Sequence, residues 1–118
     1  MKRIIITFAA GAAMLLVGIG TGTAVDMRGT AFFSEFGLEE CGDLAGDDDM
    51  AVRLSSIVFT RSMCGKHILV TGRAGSVEVK VVGVCPGCNS NDIELTPAAF
   101  QKIGSLDTGT MPVGWKFV

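Results

Sequence analysis

The chain has 118 residues, 48% of them hydrophobic and 19% charged, and its formal net charge is −2. This length suits one small domain, whose hydrophobic core alone would be only moderately stabilising. The excess of acidic over basic residues argues against a nucleic-acid partner. No internal repeat, low-complexity tract or linker divides the sequence.

The first 24 residues have the pattern of a signal peptide. Lys2 and Arg3 form a basic start, residues 4–19 are apolar, and residues 22–24 are small enough for cleavage. A membrane anchor is the alternative, but the apolar run falls short of the roughly 20 residues that span a bilayer. We therefore expect a secreted, extracellular protein with no membrane attachment after cleavage and a mature domain at residues 25–118.

The mature sequence begins with a predicted strand at residues 28–34. Residues 39–49 follow, with two glycines, six acidic residues and little apolar patterning. We interpret this stretch as a solvated loop, because the alternative, a weak calcium site, lacks a spaced calcium-loop motif. Residues 50–59 then fit either a strand or one helical turn. The six acids are Glu39, Glu40, Asp43, Asp47, Asp48 and Asp49.

Two clearer strands follow at residues 66–71 and 76–84, joined by a glycine-containing hairpin connection. Strand alternation predicts one face of the second strand with Val77, Val79 and Val81, and an opposite face with Glu78, Lys80 and Val82.

A short acidic strand leads into a predicted helix that ends near Ile103. The Thr96 hydroxyl can cap free backbone donors, and Pro97 suits the first helical position. Residues 112–118 close the chain as a final strand. One short helix among strands predicts an all-β fold, in the form of a small β-barrel.

All four cysteines lie in the mature part. An even number in an exported chain predicts two disulfides, and the sequence alone allows three pairings. Cys85 and Cys88 form a Cys-x-x-Cys pair, which can exchange disulfides at a helix N-terminus, but the predicted helix starts only at Thr96. A structural disulfide is therefore the favoured interpretation. Zinc would need a second such pair, which Cys41 and Cys64 do not form, so we expect no metal and no cofactor.

Six segments, in their order and spacing, resemble secreted double-psi β-barrel proteins, a group that includes barwin-like proteins, the first domain of expansins, rare lipoprotein A and family-45 endoglucanases. Residues 81–88, Val-Val-Gly-Val-Cys-Pro-Gly-Cys, are similar to the group's Val-Val-Asp-x-Cys-Pro-Gly-Cys segment, and residues 64–66 match its Cys-Gly-Lys signature. The other similar segments are residues 29–33, 40–42, 52–55 and 93–100.

The resemblance implies a six-stranded double-psi β-barrel that is stabilised by disulfides. It also implies the pairing, because barwin-like proteins join their first cysteine to the cysteine of the Cys-Gly-Lys signature. The implied bonds are Cys41–Cys64 and Cys85–Cys88.

Glycoside cleavage usually needs two carboxyl groups that face the scissile bond. By resemblance, Glu94 stands where the endoglucanases carry their general acid and expansins a sugar-binding aspartate. The second endoglucanase carboxylate falls at Ser34, and the aspartate of the rare lipoprotein A lyases falls at Gly83. A hydrolase or lyase is therefore not favoured. The alternative function is a glycan-active protein that uses Glu94 with Asp92 beside it, although these carboxylates could equally cap the helix or solvate the groove.

Sugar-binding barrels lay flat aromatic rings along a groove. This chain has no tyrosine and a single tryptophan, Trp115. His67, the only histidine, is expected at the surface. The phenylalanines expected in the core rather than on a sugar platform are Phe32, Phe33, Phe36, Phe59, Phe100 and Phe117.

These observations favour a secreted, non-catalytic, monomeric protein that binds an extracellular protein or a cell-wall polysaccharide. Some small barwin-like members inhibit cysteine proteases or act as effectors in plant–microbe contact, and this chain resembles them in size, cysteine count and missing acids. An inhibitor must place an exposed loop in a protease cleft, and a Pro-Gly turn between paired cysteines would be rigid. The predicted binding residues are Asp92, Glu94, Pro86 and Gly87.

Overall fold

A computed structural model of the protein describes residues 26–118. The predicted signal peptide lies outside these residues. Within them, none of the helices combines the length and the apolar character that crossing a membrane requires.

Six strands and one α-helix lie within residues 26–118. The strands are β1 (Met27–Phe33), β2 (Ala51–Ser55), β3 (His67–Thr71), β4 (Ser76–Cys85), β5 (Ile93–Leu95) and β6 (Thr110–Phe117). The helix α1 is Pro97–Ile103, and two 3₁₀ helices are Arg61–Met63 and Leu106–Thr108.

The strands close into a barrel in the order β1-β5-β2-β4-β3-β6. The pairs β1–β5 and β2–β4 are parallel, and the other neighbouring pairs are antiparallel. Parallel neighbours cannot be joined by a tight hairpin, so the chain makes long crossovers between them. The predicted all-β, six-stranded barrel with one short helix is confirmed.

The segment at residues 50–59, which fitted either a strand or a turn, contains both. β2 ends at Ser55, and the N–H groups of Val58 and Phe59 then donate to the Ser55 carbonyl at 3.1 and 2.9 Å. The Ser55 hydroxyl also accepts from the Ile57 N–H at 3.1 Å. These bonds reverse the chain immediately after the strand.

The hydrophobic core fills the interior of the barrel. Val77, Val79 and Val81 of β4 are buried in it, and Glu78 between them is exposed, as the alternation predicts. On the opposite face of β4, Val82 is only 2% exposed, because it belongs to a second apolar cluster formed with the segment after β1. That segment therefore packs on the outside of the barrel.

The helix begins at Pro97 as predicted, but Thr96 does not cap it. The Thr96 side chain is fully buried, and its hydroxyl donates to the Asp49 carbonyl instead. A buried hydroxyl without a partner is costly, and this bond satisfies the Thr96 hydroxyl while it ties the chain just before β2 to the start of the helix. The predicted capping role of the hydroxyl was wrong.

All four cysteines are paired, as Cys41–Cys64 and Cys85–Cys88. This is the pairing that the resemblance implied. The first disulfide joins residues 23 positions apart, and the second joins residues three positions apart.

The two disulfides should differ in their effect on stability. A cross-link stabilises mainly by restricting the unfolded chain, by about 3 kcal/mol for the longer loop and about 1.5 kcal/mol for the shorter one. The double variant Cys41→Ala/Cys64→Ala should therefore lose more unfolding free energy in urea denaturation than Cys85→Ala/Cys88→Ala. The reverse order would show that the long loop is already ordered without its bond.

Candidate functional site

Four residues on adjacent strands form a row across the outer face of the barrel. Phe32 on β1 pairs with Glu94 on β5, Glu94 pairs with Arg53 on β2, and Arg53 pairs with Gly83 on β4. Side chains alternate along a strand, and the neighbours of Glu94 and Arg53 point into the core. The row therefore presents one carboxylate, that of Glu94, beside one guanidinium, that of Arg53, where the resemblance places the functional groove.

Arg53 makes the largest number of side-chain contacts in this row and is called its hub. Its Nε donates to Glu39 Oε1 at 2.7 Å and its Nη2 donates to Glu39 Oε2 at 2.8 Å. Its Nη1 donates to Glu94 Oε1 at 2.8 Å and to the Ser34 hydroxyl at 3.2 Å. The two parallel bonds to Glu39 form the bidentate arrangement that makes arginine–carboxylate pairs strong and directional.

Glu39 belongs to a loop that lies over the row. We call residues 34–45 the covering loop. The Phe36 ring stacks on the Arg53 guanidinium, whose central carbon is 4.0 Å from the ring centroid. Glu39 Oε2 also accepts the Gly37 N–H at 3.0 Å. Asp43, further along, pairs with Lys80 of β4 at 3.1 Å. The loop is thus held by charged contacts at both ends.

The ion pair changes the titration of both partners. Hydrogen bonds from Arg53 lower the pKa of Glu39 below its usual 4.5, although burial of the carboxylate opposes this effect. The Glu39 carboxylate, and after it Glu94, raise the pKa of Arg53. Both groups are therefore charged at neutral pH, and each stabilises the charge of the other.

Gly83 leaves the space that the covering loop uses. A Cβ at this position would lie 2.5 Å from Glu39 Oε1 and 2.8 Å from Glu40 Oε1. Glu40 Oε1 also accepts the Val84 N–H at 3.0 Å. The two glutamates therefore stand where an aspartate at position 83 would project, and that acid could enter only if the loop moved.

The acids predicted for the site have partners inside the protein. Glu94 contacts Arg53, and Asp92 Oδ1 accepts the Thr30 N–H at 2.9 Å, which ties the loop before β5 to β1. Neither of these contacts caps α1. Ser34, which the resemblance aligns with the second endoglucanase carboxylate, supplies its hydroxyl to the Arg53 guanidinium at 3.2 Å.

The Pro86-Gly87 turn is exposed and rigidly held. It lies between Cys85 and Cys88, and the Ser55 hydroxyl donates to the Cys88 carbonyl at 3.0 Å. Ile57, in the turn after β2, is 68% exposed, and its neighbour Ser56 donates its N–H to the Cys85 carbonyl at 3.3 Å. Two apolar turns, one with Ile57 and one with Pro86, thus lie side by side.

The acidic stretch at residues 39–49 is only partly the solvated loop that we predicted. Most of its acids are solvent-accessible, but Glu39 is 7% exposed. The sequence gives no sign that Glu39 is buried in an ion pair, because it stands among six acids and two glycines and its partner Arg53 lies 14 residues further along the chain. Among residues 26–118, no three His, Cys, Asp or Glu side chains converge as metal ligands would.

The single tryptophan is not exposed as a sugar platform would be. Trp115 is 3% exposed, and its Nε1 donates to the Asn91 carbonyl at 2.8 Å. Phe32 and Phe36 are exceptions to the predicted core positions, because Phe32 lies on the outer face beside Glu94 and Phe36 covers Arg53. His67 is exposed, as predicted, and its Nδ1 lies 2.8 Å from Glu78.

A pair of exposed leucines that was not predicted from the sequence lies on the covering loop. Leu38 and Leu44 face each other across an antiparallel bridge and are 77% and 80% exposed. The Glu39 N–H donates to the Asp43 carbonyl at 2.9 Å and closes this small hairpin. Two leucines on either side of Cys41-Gly42 are the only sequence signal that could have indicated it.

No protein-family model matches the chain. The papain inhibitor of Streptomyces mobaraensis is 30% identical to it over 122 residues, which cover 96% of this chain and 83% of the inhibitor. The solved structure of a Streptomyces papain inhibitor matches with a TM-score of 0.72 and 26% identity, over 86% of this chain and 99% of that one.

Expansin from Clavibacter michiganensis is similar as well. Its apo structure matches with a TM-score of 0.74 and 28% identity, and a mutant in complex with cellohexaose matches with a TM-score of 0.74 and 27% identity. Each match covers 80% of this chain and 50% of the expansin chain. The chain thus spans half the length of these expansins. Together these likenesses confirm the double-psi barrel fold.

Removal of Arg53 should destabilise the protein more than removal of an exposed arginine. Arg53→Met leaves Glu39 buried without a counter-charge, which should cost about 3 kcal/mol of unfolding free energy. Arg61 is the matched control, because its exposed side chain makes one hydrogen bond within residues 26–118, to the Glu40 carbonyl at 3.1 Å. Arg61→Met should cost less than about 1 kcal/mol in the same urea denaturation. Equal losses would contradict the role of Arg53 as the hub.

The lowered pKa of Glu39 predicts a loss of stability in acid. Its folded-state pKa lies below the ordinary 4.5, so its contribution is complete above about pH 4.5 and is lost as the pH falls through the folded-state value. Glu39→Gln should be less stable than the parent at pH 7 and should lose less further stability on acidification. Denaturation curves between pH 7 and pH 2 test this, with the exposed Glu35→Gln as control. Parallel curves for parent and Glu39→Gln would contradict it.

Proposed function

The chain belongs to the family of the Streptomyces papain inhibitor, and we propose that it is a secreted, single-domain inhibitor of papain-type cysteine proteases. Export is proposed from the basic and apolar pattern of residues 1–24. Two disulfides in so small a domain agree with an oxidising, extracellular setting. We further propose that the protein acts as a monomer.

The observation that carries this proposal is the closure of the groove by the protein's own loop. A glycosidase needs a carboxyl pair with access to the sugar and to water. Here Glu94 Oε1 is bound to Arg53, and Glu39 and Phe36 lie on the same guanidinium. A sugar chain would have to displace these contacts before it reached the acid. The geometry therefore favours a binding protein over a glycan-active one.

We propose that the two apolar turns around Ile57 and Pro86 enter the protease cleft. Affinity in such complexes depends on loops that are already ordered, because ordering a flexible loop on binding costs free energy. The Cys85–Cys88 bond and the hydrogen bonds from Ser55 and Ser56 supply that order. Ile57 adds an exposed apolar side chain that burial in a cleft would stabilise.

Asp92 and Glu94 are proposed to position the neighbouring strands and loop and not to contact the protease. Asp92 accepts the Thr30 N–H of β1. Glu94 accepts a hydrogen bond from Arg53, which in turn binds Glu39 of the covering loop. We propose that they shape the surface beside the turns, and that Pro86 and Gly87 make the contact.

Inhibition of papain by the mature, oxidised protein tests the function. The parent should inhibit hydrolysis of a peptide substrate with saturable, reversible kinetics, and it should release no reducing ends from cellulose, chitin or peptidoglycan. Absence of inhibition together with reducing-end release that Glu94→Gln abolishes would overturn the proposal in favour of a glycan-active protein.

The contact surface has its own variants. Ile57→Asp should raise the inhibition constant by about tenfold or more, because a charge would be buried in the cleft. Val118 is the matched control, since it is an equally exposed apolar residue, at 64% against 68%. Val118→Asp should leave inhibition unchanged. If Leu44→Asp abolished inhibition and Ile57→Asp did not, the contact would belong to the covering loop, and the assignment to the two turns would be wrong.

A further inference from the structure

A second concave surface lies on the opposite side of the barrel. Along the outer face of β1, β6 and β3, Arg28 pairs with Gly114, and Gly114 pairs with Thr71. Gly114 has no side chain, so this row is interrupted at its centre. The result is a trough of about 580 Å³, bounded along β6 by Pro112 and Lys116. We call it the basic trough.

Three cations line the basic trough. They are Arg28, Arg73 and Lys116, and within residues 26–118 none of them forms a salt bridge. One acid, Asp26, also lines it. A concave surface lined by charges of one sign has a stronger electrostatic potential than a flat one. An anion in the trough would therefore be attracted by all three cations.

The charge around this trough contrasts with that of the protein as a whole. Lys2 and Arg3 belong to the predicted signal peptide, so the domain has 8 basic residues against 12 acidic ones. Six of the acids lie at residues 39–49, beside β2 and β4, and β2 is opposite β6 in the closed strand order. The barrel therefore has an acidic side and, across from it, a basic concave one.

The glycine at the floor of the trough is not required by the backbone. The heavy atom nearest to a Cβ on Gly114 would be the Met27 carbonyl oxygen, at an ordinary 3.8 Å, and Gly114 is not among the glycines with positive φ. Gly29 on β1 differs, because its Cβ would overlap the Asn91 carbonyl. Glycine inside a strand weakens the strand. Gly114 is therefore not needed for the backbone conformation, and its effect is to leave the trough open at this point.

The shape and chemistry of the trough select among anionic ligands. β6 is hydrogen-bonded on both sides, to β1 and to β3, so it offers no free edge on which a peptide strand could add. A volume of this size accommodates a few sugar rings. Leu69 and Pro112 offer apolar surface to the C–H faces of such rings, and arginine forks match carboxylates in two-bond geometry.

We propose that the basic trough binds an acidic oligosaccharide, with uronate carboxylates meeting Arg28, Arg73 and Lys116 and sugar rings lying over Gly114. This site is separate from the two turns proposed to contact a protease. It would hold the protein on an acidic polysaccharide while the opposite side of the barrel remains free.

Calorimetric titration of the mature, oxidised protein with oligogalacturonate tests the proposal. The parent should bind, and its affinity should fall as salt is added. Cellohexaose, which is uncharged, should bind at least about tenfold more weakly, because it lacks the charge-assisted bonds. Failure of the parent to bind oligogalacturonate, or equal binding of cellohexaose, would overturn the proposal.

Variants locate the site. Gly114→Ile should fill the trough and weaken oligogalacturonate binding at least about tenfold, while the melting temperature stays the same or rises, because a β-branched residue suits a strand. Arg28→Gln/Arg73→Gln should weaken binding by a similar factor. Lys102→Gln, which removes an exposed cation of α1 that is not part of the trough, is the control and should bind like the parent.

Two further measurements separate the possible outcomes. Polyglutamate should bind more weakly than oligogalacturonate, and equal or tighter binding of polyglutamate would replace the sugar with an acidic peptide and overturn the ligand class. Papain inhibition by Gly114→Ile should equal that of the parent. If this variant kept full oligogalacturonate affinity, the trough would not be the site, whatever the outcome of the inhibition assay.

Discussion

The Arg53 guanidinium is the contact on which the geometry of the candidate site depends. Four of its five N–H groups have acceptors, two on Glu39 and one each on Glu94 and Ser34. Its flat face carries the Phe36 ring. One side chain thus joins β2, β5 and the covering loop, which are separate in sequence. If the covering loop left the barrel, Arg53 would keep its pair with Glu94 but would lose both hydrogen bonds of the bidentate pair with Glu39.

This arrangement explains how one barrel can serve different functions. The chain shares its fold with an expansin and with a papain inhibitor, yet the residues in the groove decide what the surface can do. Positions 83 and 34 hold glycine and serine, where the resemblance implies acids in the enzymes of the group. Glu39 and Glu40 take up the space above Gly83. The covering loop carries the exposed residues Leu38 and Leu44 on one side of the domain, and the basic trough lies on the other.

The barrel could be predicted from sequence where the pattern is local. Alternation in β4 separated buried Val79 from exposed Glu78, and Pro97 marked the start of α1. The disulfide pairing came from resemblance, since spacing alone left three possibilities. Thr96 was misassigned because a hydroxyl before a helix can also donate to a carbonyl that is distant in sequence, here that of Asp49.

The candidate site was less accessible to prediction, because its contacts are long-range. Arg53 and Glu94 are 41 residues apart and become neighbours only through the pairing of β2 with β5. Glu39 looked like one solvated acid among six. Glu94 was selected as a candidate from resemblance alone. Its partner Arg53 could not be predicted, since nothing in the local pattern distinguishes a strand arginine that is paired from one that faces water.

Amide hydrogen exchange tests most directly whether the covering loop is fixed over the groove. The Gly37 N–H donates to Glu39 and the Val84 N–H donates to Glu40. Exchange at both should be slowed at least about 100-fold relative to an unstructured chain, because it requires opening of the loop. In Arg53→Met the protection at Gly37 should be lost while the core amides of β3 and β4 keep theirs. Unprotected exchange of Gly37 in the parent protein would contradict a groove closed by its own loop.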